Sequence, residues 1–170
     1  EGARRVKLPN PVSADYGVMR DSLLPQMIET LGRNHARQVT DVAFFEIGRV
    51  FFKTVDGRIG EETRLSIGLT GKVGRGLMDR RREAAPDEVF LWLKGIVETL
   101  FAAQHVQPVR MTSQDHPLMD PGVAVTGSDD GSEIGRLGLV KRTIRESWRL
   151  AEPVAVAEFK VFPLTANTFQ

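Results

Sequence analysis

The stretch DVAFFEIGRVFFKT, residues 41–54, decides the fold class of this chain. Aromatic and β-branched residues dominate it, and these residue types favour β-strands. Its apolar side chains occupy both alternating sets of positions, which is typical of a strand that is covered on both faces. The sequence therefore predicts a strand at the centre of a sheet.

A hairpin and further strands follow this stretch. Asp56 and Gly57 form a turn signal, and alternation of apolar and polar residues over 65–70 predicts a second strand with one wetter face. A loop rich in glycine and arginine at 71–86 precedes a helix that runs to about residue 104. Short strands are predicted around 108–113, 122–127, 133–140 and 153–162, with a hairpin turn at Asp129, Asp130 and Gly131 and a short helix at 142–149.

Before this stretch lies an amphipathic helix, and residues 1–20 are predicted to be extended or loop-like. Asp21 or Ser22 begins the helix, which tolerates Pro25 only in its first turn. Its apolar face is formed by Leu23, Leu24, Met27, Ile28 and Leu31. Because strands outnumber helices and are joined by hairpins, we predict an α+β fold with a mainly antiparallel sheet flanked by helices.

Composition indicates one globular domain over residues 1–170. Apolar residues make up 41% and charged residues 26%, and no apolar run is long enough to span a bilayer. The absence of cysteine excludes disulfides and thiolate chemistry, and it fits a reducing cytoplasm, as does the lack of a signal-peptide pattern. The net charge of +1 argues against a dedicated nucleic-acid binder.

No motif establishes catalysis or a metal site. The glycine-rich residues 71–76 lack the Ser or Thr that a phosphate-binding Walker loop places after lysine. His35, His105 and His116 are too far apart for a helix-borne metal motif, so structural or surface roles are favoured. Glu46 lies in an apolar strand, where we expect an ion pair with Arg20 or Arg49 rather than the raised pKa of a catalytic acid.

Four short motifs, in order, carry a family resemblance. They are LPNPVS at 8–13, VMRDSLLP at 18–25, FEIGRVF at 45–51 and LKGIVETL at 93–100. In this order and spacing the chain resembles the beta subunit of bacterial phenylalanyl-tRNA synthetase. The resemblance implies a class II aminoacyl-tRNA synthetase-like core that has lost catalysis and is a fragment of a longer beta subunit.

The resemblance also implies partners and ligands. The expected partner is the catalytic alpha subunit, met through the helix at 20–37 and the sheet edges, with Arg20, Arg37, Glu46 and Arg49 as partner or structural candidates. ATP, magnesium and tRNA(Phe) belong to the holoenzyme, a cytoplasmic heterotetramer, and no cofactor or membrane is expected for this fragment. By this alignment Phe52 replaces an arginine that binds the ATP phosphate in catalytic relatives, and a phenyl ring cannot do so.

Two alternatives remain open at this point. One is a stand-alone synthetase paralogue that still binds ATP or an amino acid. The other is an RNA-binding module, for which the candidate contacts are Lys72, Arg75, Arg80, Arg81 and Arg82. A fragment that exposes a surface made for a partner is also a candidate for homodimer formation.

Overall fold

The computed structural model describes residues 5–10, 17–72, 85–105, 109–127 and 132–161. Helices and strands alternate in short groups along these ranges. Their order is α1 (Leu24–Ala36), β1 (Val42–Lys53), β2 (Ile59–Thr70), α2 (Pro86–Ala103), β3 (Val109–Ser113), β4 (Met119–Gly127), β5 (Glu133–Val140), α3 (Arg142–Ser147) and β6 (Val154–Lys160).

The strands form one six-stranded sheet in the order β1-β2-β6-β5-β4-β3, and every neighbouring pair is antiparallel. Helix α1 packs on one face of the sheet and α2 on the other, so each face has its own apolar cluster. The predicted α+β class with a mainly antiparallel sheet is confirmed. No helix in the described ranges is long and apolar enough to cross a membrane.

The α1 face is built around close contact between the helix and β2. Met27, Ile28 and Leu31 of α1 are buried against Val154 and Val156 of β6. A Cβ atom on Gly68 of β2 would lie 2.6 Å from the Met27 sulfur, so the lack of a side chain at this position lets the helix approach.

The α2 face follows from a four-residue apolar repeat. Val89, Leu93, Val97 and Phe101 are buried, and the Phe101 ring meets the Phe159 ring edge-on at 5.0 Å between centroids. At the helix start, the Glu88 carboxylate accepts a hydrogen bond from the Ala85 N–H at 2.8 Å. Each helix thus has a sequence-encoded apolar stripe that covers one sheet face.

The predicted central position of the first strand and the predicted wetter face of the second are both wrong. β1 is an edge strand rather than a central one, and its Phe45 and Ile47 side chains are 69% and 60% exposed. β2 is interior instead, and its supposed wetter face is buried. Ser66 and Thr70 can be buried on this face because their hydroxyls donate hydrogen bonds to the carbonyls of Ala157 and Pro153. These bonds replace the hydrogen bonds that the hydroxyls would make with water.

The turn between β1 and β2 is confirmed. Gly57 has φ +81°, and the Thr54 N–H donates to the Arg58 carbonyl at 2.8 Å. The turn predicted at residues 129–131 lies outside the described residues. Most other elements begin and end within a few residues of their predicted bounds, although β2 begins six residues earlier, at Ile59 instead of residue 65.

Candidate functional site

The most buried charged group in the described structure is the Glu158 carboxylate on β6. It is 3% exposed and accepts hydrogen bonds from the Leu23 N–H at 2.5 Å, the Ser22 hydroxyl at 3.1 and 3.2 Å and the Arg64 guanidinium at 2.9 Å. Its charge is therefore compensated within the chain. Since Leu23 and Ser22 lead into α1, this carboxylate fixes the start of that helix on the sheet.

Arg64 links Glu158 to a second carboxylate. Its Nε donates to Glu62 at 2.8 Å, and Glu62 also faces Lys160 at 3.9 Å. Burial of Arg64 disfavours the guanidinium charge, but the attraction of Glu158 and Glu62 outweighs it and raises the pKa of Arg64 above its ordinary value. The cluster therefore stabilises the fold, because the Arg64 guanidinium is paired with two carboxylates of the same chain.

Arg20 makes a second internal junction, between the segment before α1 and the outer edge of β1. Its Nη1 donates to Glu46 at 3.0 Å and to Gln26 at 2.5 Å, and its Nε donates to the Arg49 carbonyl at 2.8 Å. Its own carbonyl accepts from the Phe51 N–H at 2.8 Å. Of the two partners expected for Glu46, Arg20 forms the pair, whereas the Arg49 side chain pairs with Glu61 at 2.9 Å.

Phe52 occupies the same sheet face as Glu46, near the turn. Its ring lies across Gly60 of β2, where an added Cβ would be 2.7 Å from the ring. The position that the resemblance aligns with a phosphate-binding arginine therefore holds an aromatic ring packed on backbone. Among the described residues, no group of three or more His, Asp or Glu side chains is placed to hold a metal ion.

The remaining predicted residues do not converge on one site. Arg37 is exposed just after α1, and its N–H donates to the Asn34 carbonyl at 2.9 Å. The Lys72 N–H donates to the Asp41 carboxylate at 2.6 Å, at the opposite end of β2 from Phe52. The other RNA candidates, Arg75, Arg80, Arg81 and Arg82, lie outside the described residues.

An apolar surface on α2 was not predicted from the sequence. Leu91, Trp92 and Ile96 are 61%, 45% and 38% exposed on the side of the helix that turns away from the sheet. Together with Glu88, Gly95 and Thr99 they form a shallow, open surface along this one helix, which we call the α2 groove. The signal in the sequence was the run Leu91-Trp92-Leu93, because an amphipathic helix with a single buried stripe does not need three consecutive large apolar residues.

Sequence comparison identifies the family of this chain. Residues 1–161 match the family described as "Phenylalanyl tRNA synthetase beta chain CLM domain". The chain belongs to this family. The predicted resemblance to the phenylalanyl-tRNA synthetase beta subunit is confirmed.

Curated relatives carry the same family name. The phenylalanine–tRNA ligase beta subunit of Moorella thermoacetica is 38% identical over 136 residues, which covers 79% of this chain and 16% of the relative. The beta subunit of Symbiobacterium thermophilum is 33% identical over 161 residues, covering 95% of this chain and 18% of the relative. The chain thus spans less than a fifth of the length of these relatives.

Solved structures support the fold class independently of this family. The pyrrolysyl-tRNA synthetase from Desulfitobacterium hafniense superposes with a TM-score of 0.66 at 16% sequence identity, over 94% of this chain and 51% of that one. At this identity the likeness concerns the fold alone. The predicted class II synthetase-like architecture is confirmed.

Proposed function

We propose that the chain is a non-catalytic structural module of phenylalanine–tRNA ligase that packs on the alpha subunit through the α2 groove. The observation that carries this proposal is a contrast between two surfaces. The charged groups at the start of α1 are paired within the chain, whereas the large apolar side chains of α2 face solvent. We further propose that residues 1–170 act as one inactive class II synthetase core domain within a longer beta subunit.

The lack of catalysis is supported by the hydrogen bonds that two of the described arginines, Arg20 and Arg64, already make. Binding an ATP phosphate requires a cation with free hydrogen-bond donors. Arg64 is committed to Glu62 and Glu158, and Arg20 to Glu46, Gln26 and a β1 carbonyl. Phe52, at the position that the resemblance aligns with a phosphate-binding arginine, packs its ring against Gly60. In this proposal ATP, magnesium and tRNA(Phe) are bound by other parts of a cytoplasmic heterotetramer.

The α2 groove fits a protein partner because it combines an exposed tryptophan with aliphatic neighbours. Tryptophan is enriched among the residues that dominate binding energy at protein interfaces. Clusters of large apolar side chains that are exposed on a protein surface often mark interaction sites. We propose the alpha subunit as the partner, because the relatives of this chain are named beta subunits and that name implies an alpha subunit in the same enzyme.

The test is binding of the purified alpha subunit of phenylalanine–tRNA ligase to this chain, measured by calorimetry and light scattering. We expect a complex with the wild-type chain, and we expect Trp92→Glu to weaken it at least about tenfold, since a hot-spot tryptophan contributes 2 kcal/mol or more. Val55→Glu is the matched control, because Val55 is a fully exposed apolar residue in the β1–β2 turn.

Two outcomes would contradict the proposal. Equal affinity of wild type and Trp92→Glu would remove the α2 groove from the interface. If no complex forms with an alpha subunit that still binds the full-length beta subunit, the alpha subunit does not bind the α2 groove. The groove would then be occupied by another segment of the beta chain. Circular dichroism of each variant establishes that it is folded before binding is compared.

A further inference from the structure

The two glycines that lie inside the described helices differ in their surroundings. A Cβ atom on Gly32 of α1 would lie 3.1 Å from the Trp148 Cβ, so internal packing accounts for that glycine. A Cβ atom on Gly95, near the middle of α2, would meet no atom within 4 Å, and Gly95 is exposed. No contact within the described structure therefore requires a glycine at position 95.

A glycine at this position weakens the helix that contains it. Glycine is among the least favourable residues in a helix interior, because it loses more conformational freedom on folding than any other residue. What glycine offers in return is room, since the lack of a side chain lets a second backbone come close. Position 95 thus leaves space for an element that approaches α2 from outside the described structure.

Large side chains around Gly95 make it the floor of a shallow notch. On a helix surface, the nearest neighbours of a residue lie three and four positions away. For Gly95 these neighbours include Leu91 and Trp92 on one side, which are 61% and 45% exposed, and Thr99 on the other. The notch lies within the α2 groove, whose lining extends from Glu88 to Thr99, about 16 Å along the helix axis.

Polar groups that line the groove are already paired within the chain. The Thr99 hydroxyl donates a hydrogen bond to the Gly95 carbonyl at 2.8 Å, directly beside the notch. At the start of the groove, the Glu88 carboxylate accepts the Ala85 N–H at 2.8 Å. A partner that covers the notch therefore leaves the Thr99 hydroxyl with an acceptor, and the free-energy cost of an unpaired buried donor does not arise.

This surface favours a helix over a strand or a loop as the element that covers it. Backbone groups inside a helix are paired within that helix, so α2 offers few free backbone groups along the groove. A strand or loop laid there would bury its own N–H and C=O groups with few partners, whereas a helix satisfies them internally. Packed helices have axes about 8–10 Å apart, and a contact residue without a side chain permits the shorter separations.

We propose that an amphipathic α-helix of the alpha subunit occupies the α2 groove and crosses α2 at Gly95. The identity of the partner rests on the proposed function, whereas the helical form of the bound element and its crossing point rest on Gly95 and its neighbours. In this arrangement Leu91, Trp92 and Ile96 contact the apolar face of the crossing helix, and the backbone of that helix lies over the notch.

Filling the notch tests the crossing point. Gly95→Leu adds a side chain that has open space in the free chain but displaces the crossing helix. We therefore expect this variant to bind the purified alpha subunit at least about tenfold more weakly in calorimetry. Lys94→Leu is the matched control, because it adds a leucine at the neighbouring position of the same helix, outside the residues that line the groove. Circular dichroism establishes that both variants are folded.

The outcomes separate this inference from the proposed function. Weak binding of Trp92→Glu together with wild-type binding of Gly95→Leu would overturn the crossing at Gly95 and leave the proposed function in place. An equal loss of affinity in Lys94→Leu and Gly95→Leu would also overturn the crossing, because the effect would not be specific to the notch. Wild-type binding of both Trp92→Glu and Gly95→Leu would refute the proposed function and this inference together.

Photo-crosslinking tests the helical form of the bound element. Benzoylphenylalanine in place of Leu91 or Thr99 puts a reactive group on either side of the notch. We expect it to react with alpha-subunit residues that recur every three or four positions within one segment, because such residues share a helix face. Cross-links to every second residue of a segment would indicate a strand, and cross-links scattered over several segments would indicate loops. Either result would overturn the inference.

Discussion

The Glu158 carboxylate of β6 accepts a hydrogen bond from the backbone N–H of Leu23 at 2.5 Å, although the two residues are 135 positions apart in sequence. The same carboxylate holds Arg64, so one buried charge joins the start of α1 to two central strands. This relationship makes the polar cluster a support of the fold, and it leads to the first prediction.

Glu158→Ala should destabilise the chain by about 3–5 kcal/mol, because it removes one of the two carboxylates that pair with the largely buried Arg64 and also the acceptor for the Leu23 N–H. The free energy of unfolding in urea measures this loss. Glu29→Ala is the control, since it removes a partly exposed carboxylate that pairs with the exposed Arg33 on α1 and should change stability by less than about 1 kcal/mol. Similar losses for the two variants would show that Glu158 is not a structural anchor.

Gly68→Ala and Gly95→Ala should have opposite effects on stability. A methyl group on Gly68 would lie 2.6 Å from the Met27 sulfur and 3.1 Å from Leu31, so overpacking should cost about 1–3 kcal/mol. A methyl group on Gly95 meets no atom within 4 Å, and alanine favours the helix by about 0.5–1 kcal/mol. Thermal unfolding of both variants checks this, and a stabilised Gly68→Ala would contradict the close approach of α1 to β2.

Asp56 should titrate below its ordinary pKa of 3.8, chiefly because the Thr54 hydroxyl donates a hydrogen bond to its carboxylate. A depressed folded-state pKa contributes stability that is present above the unfolded value and is lost as pH falls through the folded one. The effect on stability is therefore confined to pH below about 4. Carbon NMR of the side-chain carboxyl measures the pKa, which Thr54→Val should raise toward 3.8. An unchanged pKa in this variant would exclude the hydrogen bond as the cause.

Magnesium and ATP should leave the melting temperature of this chain unchanged. A ligand at one hundred times its dissociation constant would add about 2.7 kcal/mol to the free energy of unfolding, which is easily detected in a domain of this size. Sodium sulfate at matched ionic strength is the control for general salt effects. A shift specific to ATP would favour the alternative of a nucleotide-binding synthetase paralogue over the structural module.

The candidate site was only partly accessible to sequence reasoning. Glu46 could be assigned an ion pair with one of two arginines, because a carboxylate in an apolar strand needs compensation, and the structure places Arg20 there. Glu158 gives a similar signal within Val154–Lys160, yet its partners Ser22 and Leu23 are distant in sequence and nothing local indicates them. The α2 groove was missed because its inner stripe already accounted for an ordinary amphipathic helix.

What the sequence by itself determined is the local structure and the family. Helices, strands and the turn at Gly57 follow from periodicity and backbone preference, which act over a few residues, and the ordered motifs specify the phenylalanyl-tRNA synthetase beta-chain family. Only the tertiary structure decided which strand is central. β2 is interior because α1, α2, β1 and β6 all meet it, whereas β1 keeps an open edge and two exposed apolar side chains. Burial depends on what the rest of the chain places against a strand, and that is not contained in the alternation of its own residues.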